Sequence, residues 1–310
     1  MTILDNKQAR DHAPLRLASR ASPLALAQTE QVRRLLAPRR SEIIRLTTQG
    51  DEVLDRPLVE IGGKGVFIKT LEAALLDGRA DAAVHSAKDL EAETAPGTYI
   101  AAFLAREDAR DALVGPFSSL DELPEGAHIG TASVRRTAIL KNVRPDLQVS
   151  LLRGNVNSRL KRLEDGEFDA IILAVAGLKR LGLDVPYSPL PSEIMPPSAA
   201  QGALAIQLPD TADNELADAV AGLGCPQTTS CVTAERAALA KLDGSCQTPL
   251  SAHAVLTDTS GLVLRLVVLS PDGRQRFETS LTGQSHQAEM LGHTAAEQLL
   301  EACGGRSFLA

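Results

Sequence analysis

Short apolar runs alternate with amphipathic segments over the first two-thirds of the chain, a pattern typical of alternating strands and helices. The apolar runs predict strands at 15–19, 42–47, 80–84, 99–104, 127–130, 149–152, 170–174 and 202–208. The segments between them predict helices, the clearest of which are 22–36, 67–76, 176–181 and 214–223. This order predicts an α/β protein whose sheets are covered by helices.

Two segments interrupt this pattern, and we interpret them as crossings between two lobes. The first is the charged segment 106–111, whose charges are expected to lie in a solvated turn, and the second is the proline-rich stretch 185–202. Lobe 1 is then predicted to comprise residues 14–105 and 203–223, and lobe 2 residues 106–202. Two α/β lobes joined by two crossings form a clamp with its ligand in the cleft.

The character of the chain changes after residue 223. A helix at 229–242 is followed by three strands near 250–256, 262–269 and 275–281, and by a final helix at 287–300. This pattern predicts a small α+β domain at 224–310.

Composition narrows the function classes. The 310 residues carry a net charge of -7, with 3% aromatic residues and no Trp, which argues against a surface that binds nucleic acid. No apolar run reaches the length of about 20 residues that a membrane helix needs, and the first residues lack the apolar core of a signal peptide. The four cysteines, at 225, 231, 246 and 303, form no C-x-x-C pair. We therefore expect a cytoplasmic protein with reduced thiols, no membrane contact and no metal site.

Arginines recur where predicted strands turn into helices. Arg20 precedes the Ser22-Pro23 helix start, Arg135 and Arg136 follow an N-cap at Thr131 or Ser133, and Arg153 and Arg159 flank the start of the next helix. The free N–H groups of a helix start are already positive, so arginines there are unusual. Together they predict a site for carboxylate or phosphate oxygens. The alternative is that these arginines are solvated surface residues.

Three further features carry candidate chemistry. The segment His85–Asp89 follows a buried strand, where polar side chains point into the usual ligand crevice of an α/β sheet, although Asp89 could instead cap a helix. Three glycines surround Lys64 within the loop 48–65, which predicts a mobile lid or an anion nest but not a Walker A loop. Cys246 lies on a loop between Gly244 and Pro249, which predicts an accessible nucleophile or attachment point, whereas Cys231 and Cys303 are expected to be buried.

Ten runs of residues extend over nearly the whole chain: RASPLALAQ, GGKGVF, HSAKD, REDARDAL, GTASVRR, LRGNVNSRL, DAIILAVAGLKRLG, AQGAL, VTAERA and GSCQTPL. Through them the chain resembles the porphobilinogen deaminase (hydroxymethylbilane synthase) family. The resemblance implies a monomer with two lobes like type II periplasmic binding proteins and a third domain. The chain departs from the common pattern by having Glu91 in place of a proline, Ala132 in place of a serine and Glu60 in place of a lysine.

The resemblance also implies an activity. Four porphobilinogen molecules would be joined head to tail, each losing ammonia, on a dipyrromethane cofactor held by a thioether to Cys246, and water would release the linear tetrapyrrole. Asp89 would be the catalytic carboxylate. The implied contacts to the cofactor come from Lys88, Asp89, Ser133, Arg135, Arg136 and Arg153, and those to the substrate from Arg20, Ser22, Lys64, Arg153 and Arg159.

Two other classes of function stay open on the sequence. One is a non-catalytic clamp for a carboxylated small molecule, which explains the arginines but neither Cys246 nor Asp89. The other is a regulator that binds a phosphate ligand or a nucleotide, although the chain shows neither a phosphate-loop motif nor a helix-turn-helix pattern. Only the synthase interpretation requires a pyrrole covalently bound to one cysteine.

Overall fold

The computed structural model describes residues 13–48, 65–91, 93–242, 248–258 and 261–309. These residues form two five-stranded sheets and one three-stranded sheet, with helices packed against them. The predicted class, two α/β lobes followed by a small α+β domain, is therefore confirmed. Across the described ranges, no helix combines the length and the apolar character needed to cross a membrane.

The first sheet contains β1 (Leu15–Arg20), β2 (Ser41–Leu46), β3 (Ala82–Ser86), β4 (Thr98–Phe103) and β10 (Leu204–Pro209) in the order β2-β1-β3-β10-β4. β1 runs parallel to β2 and β3, whereas β10 runs antiparallel to both of its neighbours. The helices of this lobe are α1 (Pro23–Leu35), α2 (Gly65–Leu76) and α6 (Asn214–Ala221). α1 starts where predicted because Ser22 Oγ accepts a hydrogen bond from Ala25 N at 3.4 Å and Pro23 occupies the first helical position.

The second sheet repeats this arrangement. It contains β5 (Asp111–Val114), β6 (His128–Thr131), β7 (Gln148–Leu151), β8 (Ala170–Ala174) and β9 (Tyr187–Pro189) in the order β7-β6-β8-β5-β9, with β5 antiparallel to its neighbours. The helices are α3 (Val134–Val143), α4 (Val156–Glu164) and α5 (Val175–Leu181). The proline-rich stretch was predicted only as a connector, but it supplies β9, because an edge strand tolerates proline.

The third domain consists of α7 (Pro226–Leu242), β11 (Leu250–Leu256), β12 (Gly261–Leu269), β13 (Arg276–Gln284) and α8 (Ala288–Ala302). Its strands form an antiparallel meander. Leu262, Leu264 and Leu266 of β12 pack into the core that the domain's own helices cover, whereas Val267 and Leu269 pack into the core of the second lobe. The central strand is thus buried on both faces, and it joins this domain to the second lobe.

The chain passes from β4 to β5 through residues 104–110 and returns from β9 to β10 through residues 190–203. We call these two crossings together the hinge. They are bonded directly to each other, since Glu107 N donates to Gly202 O at 3.1 Å. Gly202 has φ +90°, and a Cβ atom there would lie 2.3 Å from Glu107 O, so glycine is required where the crossings touch.

The third domain also contacts both crossings, through one carboxylate. Glu235 of α7 is fully buried and accepts a hydrogen bond from Arg106 Nη1 at 2.6 Å and another from Ala200 N at 2.6 Å. Asp111, at the end of the charged segment, is fully buried as well. The prediction that the charges of 106–111 lie in a solvated turn is therefore wrong for Arg106 and Asp111, whereas Arg110 is exposed. Asp111 is fully buried and Arg106 is half-buried, and each has an oppositely charged partner.

Candidate active site

The site lies where parallel strands of both sheets end. β1 is flanked by β2 and β3, and β6 by β7 and β8, so each sheet has a point at which successive connections leave in opposite directions. Ligand crevices lie at such points. Arg20 is the last residue of β1, and Lys88 and Asp89 follow β3 in a short 3-10 turn, Ala87–Asp89. Arg153 lies two residues after the end of β7.

Asp89 faces a cation that an aromatic ring supports. Arg20 Nη1 lies 3.9 Å from Asp89 Oδ2, and the Arg20 guanidinium carbon lies 3.9 Å from the centre of the Phe67 ring. A guanidinium over a ring face is attracted to it, so Phe67 fixes Arg20 beside Asp89. In the sequence, Phe67 marked only the start of the predicted helix 67–76. The alternative role for Asp89, capping a helix, is wrong because Asp89 ends the 3-10 turn.

His85 does not lie in the crevice with its neighbours. Its side chain is buried, and Glu72, Gln207 and Asp89 contribute to its electrostatic environment. Burial lowers the pKa of His85 to about 4, so the imidazole is neutral at physiological pH. The expectation that all polar residues of 85–89 point into the crevice is thus wrong for His85, because alternate residues of a strand face opposite sides of the sheet.

Lys88 is half-buried beside Asp89. Burial lowers the pKa of its ammonium group to about 8, while the charge of Asp89 raises that pKa and the charge of Arg136 lowers it further. Asp111 and Arg135 also act on Lys88, with opposite signs. The lysine of the first lobe therefore lies within electrostatic range of residues from the second lobe, which places both lobes around one space.

Arg135 and Arg136 are buried in the first turn of α3. Arg135 Nη2 donates to Asp111 Oδ2 and Arg136 Nη2 donates to Asp111 Oδ1, each at 2.6 Å. Burial of the Asp111 carboxyl raises its pKa, but the charges of the two arginines outweigh this effect and hold the pKa below its usual range. The alternative that these two arginines are solvated is wrong. Sequence reasoning also missed Asp111, because its partners lie 24 and 25 residues away along the chain.

The start of α4 supplies two further arginines, Arg153 and Arg159. Asn155 caps the helix by accepting a hydrogen bond from Ser158 N at 3.0 Å, and Arg159 Nε donates to Gly154 O at 2.8 Å. Burial lowers the pKa of Arg159 to about 10, the charges of Arg136 and Arg153 lower it as well, and the charge of Asp89 raises it. These arginines therefore share one electrostatic site with the carboxylate of Asp89.

Ser133, one of the two predicted N-caps, is the cap of α3, since its Oγ accepts a hydrogen bond from Arg136 N at 3.4 Å. Thr131 ends β6 instead. Ser22 caps α1, two residues beyond Arg20. Both serines therefore lie at the helix starts that border the crevice.

Lys64 and Cys246 lie outside the described residues, as do Glu60 and nearly all of the predicted lid 48–65. Cys231 and Cys303 are buried as predicted. Burial raises the pKa of Cys231 to about 11, so its thiol is not a nucleophile at neutral pH. Cys225 is half-buried. Its burial raises the thiol pKa, but hydrogen bonds from Thr228 and Gln227 lower it overall.

Comparison with known proteins places this site in a family. Residues 15–218 match the model "Porphobilinogen deaminase, dipyromethane cofactor binding domain", and residues 229–301 match "Porphobilinogen deaminase, C-terminal domain". The chain belongs to the porphobilinogen deaminase family. The resemblance predicted from the ten sequence runs is therefore confirmed, and so is the prediction that the protein is an enzyme of the transferase class.

Individual relatives agree with the family models. The porphobilinogen deaminase of Chromobacterium violaceum is 48% identical over 302 residues, which is 95% of this chain and 96% of that protein. The porphobilinogen deaminase of Sorangium cellulosum is 46% identical over 295 residues, covering 92% of this chain and 98% of that protein. The family assignment thus extends over nearly the whole chain.

Two solved structures share a more distant similarity. An ancestral cationic amino acid solute binding protein is 13% identical, with a TM-score of 0.42 over 72% of this chain and 92% of that chain. An ABC transporter periplasmic binding protein from Brucella ovis with bound glutathione is 14% identical, with a TM-score of 0.42 over 78% of this chain and 72% of that chain. The fold itself is established by the strand order and connections given above.

Proposed function

We propose that this chain joins four porphobilinogen molecules head to tail, each with loss of ammonia, and releases the linear tetrapyrrole by hydrolysis. The observation that carries the proposal is the carboxylate of Asp89, which shares its electrostatic site with arginines of both lobes. Porphobilinogen carries an acetate and a propionate group, so a growing chain of pyrroles is a polyanion. A site rich in guanidinium groups suits that ligand because arginine binds carboxylates through paired hydrogen bonds.

A dipyrromethane cofactor fits the same residues. Arg136 keeps a buried Nε–H that has no partner in the described part of the chain, and an unpaired buried donor is suited to a carboxylate ligand. We assign the binding of the cofactor to Lys88, Asp89, Ser133, Arg135, Arg136 and Arg153. When bound through Cys246, the dipyrromethane supplies the pyrrole carbon to which the first substrate is joined. Substrate contacts are assigned to Arg20, Ser22, Lys64, Arg153 and Arg159.

Asp89 carries the chemistry in this proposal. Its carboxylate assists protonation of the departing amine of porphobilinogen and stabilises the electron-poor methylene-pyrrolenine through the pyrrole N–H. The same carboxylate then accepts the proton that the ring loses after the new C–C bond has formed. Arg20, held over Phe67 at 3.9 Å, keeps the carboxylate oriented for these steps.

The division of the chain into 14–105 with 203–223, 106–202 and 224–310 belongs to the same proposal. It is supported by the two strands that follow the crossings. β5 follows β4 of the first sheet but belongs to the second sheet, and β10 follows β9 of the second sheet but belongs to the first. We further propose, from the family resemblance, that the enzyme acts as a monomer in the cytoplasm.

Intact-mass measurement tests the proposed attachment. We expect the purified protein to carry the mass of two linked pyrrole units on Cys246, located by peptide mapping and by a colour reaction with Ehrlich's reagent. Cys246→Ser should lose this mass, whereas Cys225→Ser should keep it, although Cys225 is the half-buried thiol of the described residues. A bare Cys246 after incubation of the wild-type protein with porphobilinogen would contradict the proposal and favour a non-catalytic clamp.

The pH dependence of substrate binding tests Lys88. Its ammonium group loses the proton as the pH rises through about 8, so attraction for carboxylates should weaken above that pH and KM should rise. In Lys88→Arg the side chain stays charged, and we expect this alkaline rise in KM to move to higher pH. The pH dependence of KM is measured by steady-state kinetics from about pH 7 to about pH 10, a range that includes both the shifted and the ordinary lysine pKa. An alkaline limb at the same pH in both proteins would exclude Lys88 as its source.

A further inference from the structure

Asp111 lies at the centre of a buried polar cluster that connects the arginine pair to the hinge. It begins β5 directly after the first crossing, and its side chain is fully buried. Besides the bonds from Arg135 and Arg136, Asp111 Oδ1 accepts a hydrogen bond from Gln201 Nε2 at 2.8 Å. Gln201 belongs to the second crossing, and its Nε2 also donates to Ala109 O of the first crossing at 2.7 Å. The Asp111 carboxylate therefore connects the guanidinium groups of Arg135 and Arg136, through hydrogen bonds, to both crossings.

The remaining contacts of the two arginines determine which donor is left for a ligand. Arg136 Nη1 donates to Ile172 O at 2.9 Å, and Arg135 Nη1 donates to Pro196 O at 2.6 Å. Pro196 O also accepts a hydrogen bond from Ser251 Oγ of the third domain at 2.9 Å. With both of its terminal nitrogens bonded to protein, Arg136 keeps its buried Nε–H without a partner among the described residues.

This arrangement is costly if it serves stability alone. Burying three charges carries a desolvation penalty, and apolar residues of similar volume often stabilise a protein as well or better. The cluster also keeps one positive charge in excess, next to Lys88 and Arg159, on both of which the charge of Arg136 acts. An excess buried cation with a free donor is suited to an anionic ligand.

We propose that Asp111 is a positioning residue, which holds Arg135 and Arg136 so that Arg136 Nε–H is presented to a carboxylate of the bound pyrrole chain. Through Gln201 it also fixes this donor relative to the hinge. The inference rests on the proposed function, because the ligand is the pyrrole chain. Two effects of neutralising Asp111 have opposite signs. The site becomes more positive, which strengthens anion binding, whereas the arginines lose their orientation, which weakens it.

The test compares Asp111→Asn with the matched control Asp108→Asn. Asp108 belongs to the first crossing and pairs with the exposed Arg110 at 2.7 Å. Four quantities are measured. They are KM for porphobilinogen, the pH dependence of that KM, the thermal unfolding midpoint, and the rate at which unmodified protein acquires the cofactor on Cys246. The last of these is monitored by intact mass. We expect Asp111→Asn to raise KM about tenfold and to slow loading of the cofactor. A tenfold change in KM corresponds to the loss of one well-oriented charged hydrogen bond. Asp108→Asn should match the wild type in KM and loading.

The pH profile separates the loss of the Asp111 charge from a simple loss of stability, and Gln201→Met tests position without a change of charge. The charges of four residues change the pKa of Lys88: Asp89 and Asp111 raise it, whereas Arg135 and Arg136 lower it. Asp111→Asn should therefore move the alkaline rise in KM to a pH below that of the wild type. A variant that is only less stable would keep the wild-type profile at temperatures at which it is folded.

Gln201→Met provides a second variant if Asp111→Asn does not fold. It removes the link to the hinge without changing any charge, so KM should rise while the alkaline limb stays in place. Unchanged or lower KM in a folded Asp111→Asn, or wild-type KM in Gln201→Met, would overturn the inference. If the wild-type protein neither loads Cys246 nor turns over, the proposed function fails. If the wild type does both and the variants match it, only the role of Asp111 fails.

Discussion

Asp89→Asn is expected to lower turnover about 10²- to 10⁴-fold while leaving the covalent cofactor in place, which is the range for loss of a positioned general acid–base group. The amide is nearly isosteric with the carboxyl group but can neither assist protonation of the leaving amine nor stabilise a cationic ring. Arg20 Nη1, 3.9 Å from Asp89 Oδ2, would also lose its charged partner. Single-turnover formation of the linear tetrapyrrole measures the rate, and intact mass reports the cofactor.

Asp81→Asn is the matched control for this prediction. Asp81 lies directly before β3, at the opposite end of that strand from Asp89, and pairs with Arg16 at 2.6 Å in a partly exposed ion pair. Exposed pairs contribute at most about 1 kcal/mol, so Asp81→Asn should turn over like the wild type. Near-normal turnover in Asp89→Asn would remove Asp89 from the mechanism, whatever the control shows.

Glu235→Gln should have the largest effect on stability, lowering the free energy of unfolding by about 3–5 kcal/mol, because removal of one partner leaves an uncompensated buried charge. That charge is Arg106, whose side chain is 13% exposed. The glutamate oxygens also accept hydrogen bonds from Ala200 N at 2.6 Å and Ala254 N at 2.7 Å, and an amide can replace only one acceptor oxygen. Urea denaturation followed by circular dichroism measures the change.

Glu278→Gln tests whether burial, rather than the number of ion pairs, decides this effect. Glu278 of β13 accepts hydrogen bonds from both Arg265 and Arg276, but its side chain is 50% exposed. We expect its loss to cost at most about 1 kcal/mol. A double variant, Arg106→Met with Glu235→Met, should recover part of the stability lost in Glu235→Gln, since no unpaired charge remains. Equal losses at Glu235 and Glu278 would contradict the argument.

Local patterns in the sequence were sufficient for most of the secondary structure. Apolar runs with turn residues at both ends predicted the strands of all three sheets, and the Ser22-Pro23 pair marked the start of α1 because side-chain capping is a property of adjacent residues. Two strands were not among these predictions. β5 has only four residues and begins at the end of a charged segment, and at β9 three prolines within six residues of the chain outweighed a short apolar signal. Only the tertiary structure showed that β9 is a strand. It lies at the edge of its sheet, where a proline that lacks an N–H group does not remove a hydrogen bond to a neighbouring strand.

The family and the candidate residues of the site could also be recognised in the sequence alone. What only the tertiary structure decided is which charges are buried and with which partners. Asp111 and Gln201 are 90 residues apart in the chain and Arg106 and Glu235 are 129 apart, so no local pattern predicts their contact. The physical reason is that capping and periodicity depend on neighbouring residues, whereas the pairing and the pKa of a buried charge depend on groups that only the packed sheets bring together.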